Sequence, residues 1–575
     1  MNKNNQQTEI IRRIEQAEDW RKTNYETLWR SYYRQFRSRG QQKKEGSNLF
    51  IPYSYMICET VRARLAESLF ASRPYVNVRA RENGDAEQAD RAQILIDWQL
   101  SDRMHLATTI KEDFLQNLCV FGTGIMFTTW SKKSRKIRRM RSRQTNISYA
   151  DGTPVLAEDG IPVTVTLREP EESERSYYDD PQCVSIDVFD FFVDPAAKNI
   201  DDARYCGHRE YKSRRSLEQL IQTAGWKIDF STLSHSENPE DGRRLRMEEN
   251  GKAKDEPDND NGLYLVHHYW EDERHVVVIE RQQIALDEAN PFWHGRKPYD
   301  KATYAPIANS FYGIGLCEML QGLQEELNTT RNMRIDYYAA ALRRMWKMRK
   351  GCGLTPRDLA WRQNGVIQVE NMDDLQEINV QDLPASAFAV EEGIKTDMKD
   401  VSGCHDIIMG LAGSNETATT TMTKDNNASI RFKDVVEAVA NDILVPVAEK
   451  CISMDGQFLT EERSVRLIGS SISTIVAPED FDGDYDLIYT GSAVDPMANQ
   501  ELNKEKITNA YGMLSGDQLY AADPEAKIRF MDELLKVLGV ENRESILPAL
   551  PQTEPSDSSA FEPLQVISQG GGEMI

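Results

Sequence analysis

The segment from Ser310 to Lys350 constrains the fold most, because it predicts a single helix of unusual length. Its helical part, 314–348, would span about 50 Å, whereas globular helices average about 11–12 residues. Mostly apolar or small residues recur along one face at alternating steps of four and three: Leu316, Leu320, Leu323, Leu327, Thr330, Arg334, Tyr337 and Ala341. A helix with so narrow a stripe is expected to pack side by side with copies of itself, as a strut in a larger assembly.

The other faces of this predicted helix are charged. They carry Glu325, Glu326, Arg331, Asp336, Arg343 and Arg344. Arg334 is the one residue that brings a charge into the stripe itself. Charged faces of this kind stay in contact with solvent when the stripe is buried.

Composition limits the kinds of protein to consider. The chain of 575 residues has 40% hydrophobic and 28% charged residues, which predicts several globular domains or one elaborated subunit. It has no run of about 18 apolar residues that could cross a membrane. Its first twenty residues lack the apolar core of a secretory signal. We therefore expect a protein that is made in a cytoplasm and stays there until it joins something larger.

Neither disulfides nor a metal site are indicated. The eight cysteines are scattered without a CxxC pair, and they predict buried thiols. His267 and His268 are adjacent on a predicted strand, so their side chains point to opposite faces and cannot chelate one ion together. The acidic stretch before Gly262 fails as a calcium loop, because its twelfth position is His268 rather than Glu.

Catalytic motifs are not found in the sequence either. Gly122-Thr-Gly124 and Gly313-Ile-Gly315 lack the further glycine or lysine of a phosphate-binding loop. They predict a helix stop and a tight turn into the long helix. Asp482, Asp484 and Asp486 alternate on one predicted strand face and favour surface acidity over a metal site. The sequence thus predicts neither an enzyme nor a cofactor.

Charge is unevenly distributed along the chain. The formal net charge is −23; residues 1–150 carry 27 basic and 16 acidic residues, so the remainder carries −34. Such acidity argues against tight, sequence-independent DNA binding, which depends on neutralised phosphates. It does not argue against DNA passing nearby. The basic portion is expected to dock an acidic partner, and its run at 131–143 suits either nucleic acid or a solvated hairpin strand.

Secondary-structure patterns alternate between helix and strand, which predicts an α+β protein. Residues 8–38 and 86–120 predict helices, and 48–53 is extended around Pro52. A β-meander is expected near 145–177, and YLVHHYW with HVVVIE predicts a hairpin. Residues 427–453 predict a helix that is kinked at Pro446.

Three stretches, in this order, resemble one known family, the portal proteins of tailed bacteriophages. They are SNLFIPYSYMICETVRARLAESLFASRP (47–74), FDFFVDPAAKNIDDARYCGHREYKSRRSLEQL (189–220) and YAPIANSFYGIGLCEMLQGLQEELNTTRNMRIDYY (304–338). Their most specific features are the aromatic-Asp-Pro-Ala pattern at 192–196 followed by Arg209, and FYGIG followed by Gln324 and Asn328. Together they are similar to the head-to-tail connector of the short-tailed-phage type.

The resemblance implies a portal fold with a mixed α/β wing, a long α-helical stem, a small α/β clip and a helical crown. The implied divisions are wing 1–313 with a β insertion near 145–177, stem helix 314–348, clip 349–385, returning stem helix 386–409, tunnel loop 410–426, further wing 427–495, crown 496–547 and a disordered or barrel-forming tail 548–575.

The resemblance also implies a function. Portal proteins form a ring, typically of about twelve subunits, at one capsid vertex, where DNA passes without sequence specificity during packaging and ejection. The implied partners are the terminase large subunit, the major capsid protein and scaffold, and head-tail adaptor or tail proteins. The implied location is the virion, assembled in the host bacterial cytoplasm, with no membrane partner.

Candidate functional residues follow from these divisions. In the tunnel loop they are Asn415, Thr417, Thr419, Thr420, Thr421, Thr423 and Lys424, whose hydroxyl groups and one cation could touch phosphates weakly. In the stem they are Glu325, Glu326, Asp336, Arg343 and Arg344. In the clip, as docking positions for the motor or adaptor, they are Arg357, Asp358, Trp361 and Arg362.

Two other functions remain open from the sequence. A capsid-associated or scaffold protein without a channel would have the same composition, and only a ring with a central hole separates it from a portal. A DNA-processing enzyme would need a carboxylate metal cluster or a phosphate-cradling loop, and neither is found in the sequence.

Overall fold

The computed structural model describes residues 3–39, 46–71, 73–82, 85–146, 164–233, 263–342, 345–351, 375–378, 386–404, 431–465, 474–481 and 483–490, with isolated positions in 153–162 and 354–373 and at 531. The chain divides into two compact units, Met1–Val465 with Thr474–Pro496 and Arg466–Ser473 with Met497–Ile575. Apart from Met531, every described residue belongs to the first unit.

Several predicted segments and residues lie outside the described residues. They are the tunnel loop 410–426 with all its candidates, the crown 496–547 except Met531, the tail 548–575, and Arg343, Arg344, Asp358, Trp361 and Arg362.

The described helices are distributed over the whole first unit. They are α1 (Lys3–Arg21), α2 (Thr27–Phe36), α3 (Tyr53–Leu69), α4 (Ala86–Trp98), α5 (Leu106–Thr109), α6 (Leu115–Phe121), α7 (Arg214–Ala224), α8 (Leu316–Leu342), α9 (Ser386–Ser402), α10 (431–439) and α11 (Val445–Phe458). Short π-helical segments join several of them: Lys22–Glu26, Gln99–Arg103, Ile110–Phe114 and Ala440–Leu444.

The described strands all pair antiparallel. They are β1 (Val76–Ala80), β2 (Thr123–Asn146), β3 (Thr164–Ile186), β4 (Phe191–Val193), β5 (Cys206–Ser213), β6 (Leu263–Trp270), β7 (Arg274–Ile279), β8 (Gln283–Ala289), β9 (Tyr299–Thr303), β10 (Met345–Met348), β11 (Leu375–Ile378), β12 (Arg463–Val465), β13 (Thr474–Val476) and β14 (Tyr485–Tyr489). The sheets have the orders β4-β5-β6-β7-β8, β3-β2-β9, β1-β14, β10-β11 and β12-β13. This mixture of helices and strands confirms the predicted α+β class.

The main core forms where aromatic residues of α2 meet the loop before α8. Trp29, Tyr32, Tyr33 and Phe36 recur at helical spacing and are buried together. The Trp29 ring lies edge-on to Tyr312, with 4.9 Å between ring centroids, and also contacts Phe189 and Phe121. The predicted amphipathic helix at 8–38 is thereby confirmed as α1 and α2, buried within its own subunit.

Close backbone packing explains the two glycine pairs. Gly122 ends α6 with a φ of +81°, and a Cβ there would lie 2.4 Å from the Gly313 carbonyl oxygen. A Cβ on Gly315 would lie 2.6 Å from the Val120 carbonyl oxygen. Since only glycine allows this approach, the predicted helix stop and tight turn before the long helix are confirmed.

The predicted long helix is wrong at its far end. α8 has 27 residues and ends at Leu342, and Met345–Met348 instead form β10, paired with Leu375–Ile378 of β11. The sequence Met-Trp-Lys-Met suits either state, and hydrogen bonds to a partner about thirty residues away outweigh a weak helix propensity.

One further sequence prediction needs correction. The helix predicted over 86–120 is interrupted, because His105 adopts a left-handed conformation with a φ of +49° between α4 and α5. Near 145–177, where a β-meander is predicted, the structure describes 164–177 as part of β3, which has 23 residues and pairs with the 24-residue β2, while most of 147–163 lies outside the described residues. Uniformly polar strands carry no periodicity that could reveal their length.

Other elements agree with the sequence. β6 and β7 form the predicted hairpin. In the described part of 427–453, the helix passes through the π-helical segment Ala440–Leu444 directly before Pro446, which lies in the first turn of α11. Proline has no backbone N–H to donate within a helix, and the change to π-helical hydrogen bonding occurs where that donor is missing.

Candidate functional site

α8 and α9 form a helical hairpin that is joined by the β10–β11 pair. The buried residues of α9 are Glu391, Ile394, Met398 and Ser402, which recur at steps of three and four and therefore share one face. The helix ends at Gly403, whose φ of +70° is typical of a helix C-terminus. The predicted returning helix 386–409 is confirmed for its first seventeen residues, and 405–409 lie outside the described part of the chain.

Charged residues join the two helices of this hairpin. Glu391 on α9 is almost completely buried and accepts contacts from two arginines of α8, Arg331 and Arg334. Its Oε2 lies 2.8 Å from Arg334 Nη2, and Lys395 Nζ lies 3.4 Å from its Oε1. Three cations thus compensate one desolvated carboxylate.

The flanking contacts orient these cations. The Arg334 guanidinium carbon lies 4.9 Å from the ring centroid of Phe388, within the range of a cation–π contact. The pKa of Lys395 is raised, first by its hydrogen bond to Glu392. The charge that interrupted the predicted stripe therefore has a specific partner on the returning helix.

A row of polar side chains on α8 holds the backbone of the extended segment 46–52 and of Ser54, in the first turn of α3. Gln324, Asn328, Asn332 and Asp336 follow one another at steps of four and share one helix face. Backbone donors meet them at 2.9 Å (Ser54 to Gln324 Oε1), 2.9 Å (Ile51 to Asn328 Oδ1), 2.8 Å (Leu49 to Asn332 Oδ1) and 2.7 Å (Ser47 to Asp336 Oδ1). We call these four residues the polar row.

Two amides of the polar row also donate. Asn332 Nδ2 donates to the Leu49 carbonyl at 2.9 Å, and Gln324 Nε2 donates to the Ile51 carbonyl at 2.8 Å. Four helical residues rise about 6.0 Å and two extended residues cover about 6.6–6.8 Å, so the row matches alternate residues of an antiparallel segment. One helix face thus supplies the bonds that a neighbouring strand would otherwise make.

The predicted stem residues occupy different environments. Glu325 and Glu326 are exposed on α8, and Gln321 Nε2 donates to Glu325 Oε1 at 3.4 Å. Asp336 is exposed but bonded to the Ser47 backbone, as a member of the polar row. Of the clip candidates, the structure describes Arg357, which is exposed.

The predicted apolar stripe is buried by the subunit itself over the first half of α8. Leu316, Leu320 and Leu327 are fully buried in the main core. The expectation that this whole stripe packs against copies is therefore wrong for its first half. In the second half, Thr330 and Tyr337 are only partly buried and Ala341 is exposed.

Sequence reasoning missed a second set of apolar residues on the same hairpin. Leu342 is 83% exposed and Met333 is 67% exposed. The other exposed large apolar side chains of the hairpin and its strands are Tyr338, Met345, Met348, Ile378, Phe388, Val390 and Val401. The sequence pattern did not predict them, because they lie outside the apolar stripe, on helix faces that also carry charged residues. Uncovered apolar surface of this extent is typical of interaction sites.

Ligand-binding chemistry is not evident in the described regions. Within them, no group of three His, Cys, Asp or Glu residues is placed to hold a metal ion. His267 turns towards Glu18 and His268 towards Glu210, which confirms that the two histidines point to opposite faces. Asp484 and Asp486 both lie near Arg81.

In the same described portion, no helix is both long and apolar enough to cross a bilayer.

A hairpin of long helices with uncovered apolar side chains is typical of a structural component of an assembly. A family model described as Phage SU10 portal protein matches residues 7–569, nearly the whole chain. The chain belongs to this family of phage portal proteins. Comparison with curated proteins gave no match. The family is structural rather than enzymatic and belongs to the virion capsid.

Proposed function

We propose that copies of this chain form a closed ring at one capsid vertex, and that the genome enters and leaves through its centre. The family membership supports this role. The hairpin of α8 and α9 provides the most direct physical support, because its exposed apolar residues lie on two helices that project together. In a ring, each hairpin has a neighbour on both sides that can cover such surface.

The polar row makes α8 suitable as a stem. A helix that carries load between subunits must be fixed in its own subunit, and seven hydrogen bonds join the row to Ser47, Leu49, Ile51 and Ser54. The Glu391 cluster holds the returning helix against it. We propose that α8 and α9 are the stem, with Glu325 and Glu326 as its charged surface.

The tract 410–426 is proposed as the loop that faces DNA. Its Thr419, Thr420, Thr421 and Lys424 offer hydroxyl groups and one cation, which can exchange weak hydrogen bonds with any phosphate. The acidic remainder of the chain discourages tight binding, so DNA would slide. Asn415, Thr417 and Thr423 belong to the same proposed surface.

The outer end of the hairpin is proposed as the docking site for the terminase large subunit and for adaptor proteins. It contains β10, β11 and the exposed Arg357, and Asp358, Trp361 and Arg362 belong to the same tract. The remaining proposed partners are the major capsid protein and scaffold. About twelve subunits are expected in the ring, which would assemble in the host cytoplasm.

Imaging of the purified full chain tests the proposal directly. Negative-stain micrographs should show rings with a central hole, and light scattering should give the mass of a closed oligomer. Solid particles, or a chain that stays monomeric or dimeric at every concentration tested, would support a capsid-associated protein without a channel instead. ATPase and nuclease assays on the same sample would reveal the alternative of a DNA-processing enzyme.

A further inference from the structure

The outer part of the β2–β3 hairpin has no partner among the described strands. Only Thr123–Phe127 of β2 pairs with a third strand, β9. From Lys132 to Asn146 the two strands continue alone, over about 50 Å at about 3.4 Å per residue. We call this part the ribbon. A two-stranded ribbon is marginally stable in water by itself.

The root of the ribbon is rigid. Asp180 on β3 is buried and binds Arg103 Nη2 at 2.6 Å, and it also contacts Arg463. Trp130 on β2 stacks on Phe458, with ring centroids 5.2 Å apart. The ribbon therefore leaves the subunit in a fixed direction, while its described side chains from Lys132 to Ser142 are almost all exposed.

The two faces of the ribbon differ in charge. Residues directly opposite in an antiparallel pair share a face, as do alternate residues of one strand. By register, one face carries basic residues at 132, 136, 138 and 168 and acidic residues at 172, 174 and 179. The other, which we call the basic face, carries basic residues at 133, 135, 139, 141 and 175 among the side chains that the structure describes.

Like charges meet directly on the basic face. Arg135 is registered opposite Arg175, an arrangement that destabilises a pair of strands. Among the side chains that the structure describes, neither arginine forms an ion pair, whereas Lys132 pairs with Asp179 at 2.9 Å on the other face. An acidic surface placed against this exposed cationic cluster would gain electrostatic attraction.

We infer that the basic face of the ribbon docks on an acidic surface of a neighbouring copy of this chain. This inference rests on the proposed ring, which places a neighbour beside every subunit. Charge complementarity supports it, because residues 151–575 carry a formal charge of −34. Tyr177, the extra residue of the bulge between Lys133 and Ser134, is 54% exposed and adds an aromatic contact. DNA is a weaker candidate, since the acidic residues at 172, 174 and 179 of the same ribbon would repel its phosphates.

Charge reversal at Arg135 gives a sharp test, because it separates folding from assembly. Arg135→Glu places opposite charges across the strands, so the melting temperature of the monomeric subunit should stay the same or rise. Ring assembly should weaken, with the concentration of half-assembly rising about tenfold for a like-charge contact at the interface. Arg168→Glu makes the same charge change on the other face, opposite the neutral Ser142, and should affect assembly far less.

Cross-linking identifies the partner independently. Rings assembled from mixed ¹⁴N- and ¹⁵N-labelled chains should give hybrid peptides when carbodiimide couples Lys133 to a carboxylate. If wild-type rings form and Arg135→Glu assembles normally, the inference is overturned and the proposed ring stands. If Arg135→Glu assembles normally but the rings no longer retain DNA, the basic face binds nucleic acid, and this result also overturns the inference. Failure of the wild-type chain to form rings would instead remove the proposed function.

Discussion

Arg334 of α8 lies 2.8 Å from Glu391 of α9, through its Nη2 and the carboxylate Oε2. The contact joins two helices that are separated by about fifty residues of sequence, and Arg331 and Lys395 complete the group. It explains why a charged residue stands in an otherwise apolar stripe. The buried part of the stripe ends at Leu327, and beyond it these ion pairs hold α9 against α8.

Removing the carboxylate from this cluster should loosen α9. Glu391→Gln leaves three cations around a neutral group, and we expect a loss of about 3 kcal/mol in the free energy of unfolding. Urea denaturation and hydrogen exchange over 386–402 measure it. Glu392→Gln is the matched control, because Glu392 is exposed and pairs with Lys395 at the surface, where such contacts contribute about 0–1 kcal/mol. Equal losses in the two variants would contradict the cluster.

A reciprocal exchange tests the polar row. Asn332 both donates to and accepts from Leu49, whereas Asp336 only accepts from Ser47. Asn332→Asp should therefore set a carboxylate oxygen against the Leu49 carbonyl and cost about 1–3 kcal/mol. Asp336→Asn keeps its acceptor and should be tolerated. Hydrogen exchange of the backbone amides in 46–54 reports both, and faster exchange in the second variant alone would contradict this assignment.

One buried carboxyl group, Asp455, should progressively lower the free energy of unfolding as the pH rises from about 4 to about 8. Asp455 is completely buried on α11, and Gln99 Nε2 donates to its Oδ1 at 2.7 Å. Burial raises the pKa of Asp455 to about 8, against the lowering effect of the Gln99 hydrogen bond. At this group the folded chain therefore keeps a proton that the unfolded chain releases in this range, so the contribution of Asp455 to the free energy of unfolding declines as the pH rises.

Asp455→Asn should remove that dependence. Its stability relative to the wild type is expected to grow between about pH 5 and about pH 8 in urea denaturation experiments. Asp397→Asn, an exposed position on α9, serves as the control and should follow the wild-type curve. Parallel curves for the wild type and Asp455→Asn would show that the group is ionised in the folded chain.

Leu342 tests the role of the uncovered apolar residues. Leu342→Lys places a cation at the C-terminal end of α8, which the helix dipole favours, so the stability of the subunit should change by less than about 0.5 kcal/mol. The Leu342→Lys ring should nevertheless be weaker. In light-scattering measurements it should dissociate at a higher protein concentration than the wild-type ring. Leu342→Met preserves the apolar surface and should assemble normally. A fully stable Leu342→Lys ring would place this residue outside the interface.

Lys424 tests the proposed tunnel loop. Lys424→Glu adds negative charge where DNA would pass, and we expect packaging to slow several-fold while the ring persists. Lys433→Glu makes the same charge change on α10 and is expected to package normally. In a packaging assay with intact rings, a normal rate for Lys424→Glu would remove this residue from the channel.

Much of the fold could be predicted because its signals are local. The aromatic spacing of α2, the glycine at the end of α6 and the alternation in β6 and β7 depend on residues close in sequence. Steric and periodic constraints of this kind act before tertiary contacts form. Gln324 and Asn328 were noticed as a pattern, although the pattern itself did not say what they bind.

The α+β class and the position of the long helix follow from local patterns of apolar spacing and glycine placement, and the family follows from the resemblance of three segments. The end of α8, the side of it that faces its own core, and the contacts of Asp336 with Ser47 and of Arg334 with Glu391 depend on the folded chain. Such outcomes depend on partners tens to hundreds of residues away. Their free energies decide between local conformations that are nearly equal in stability.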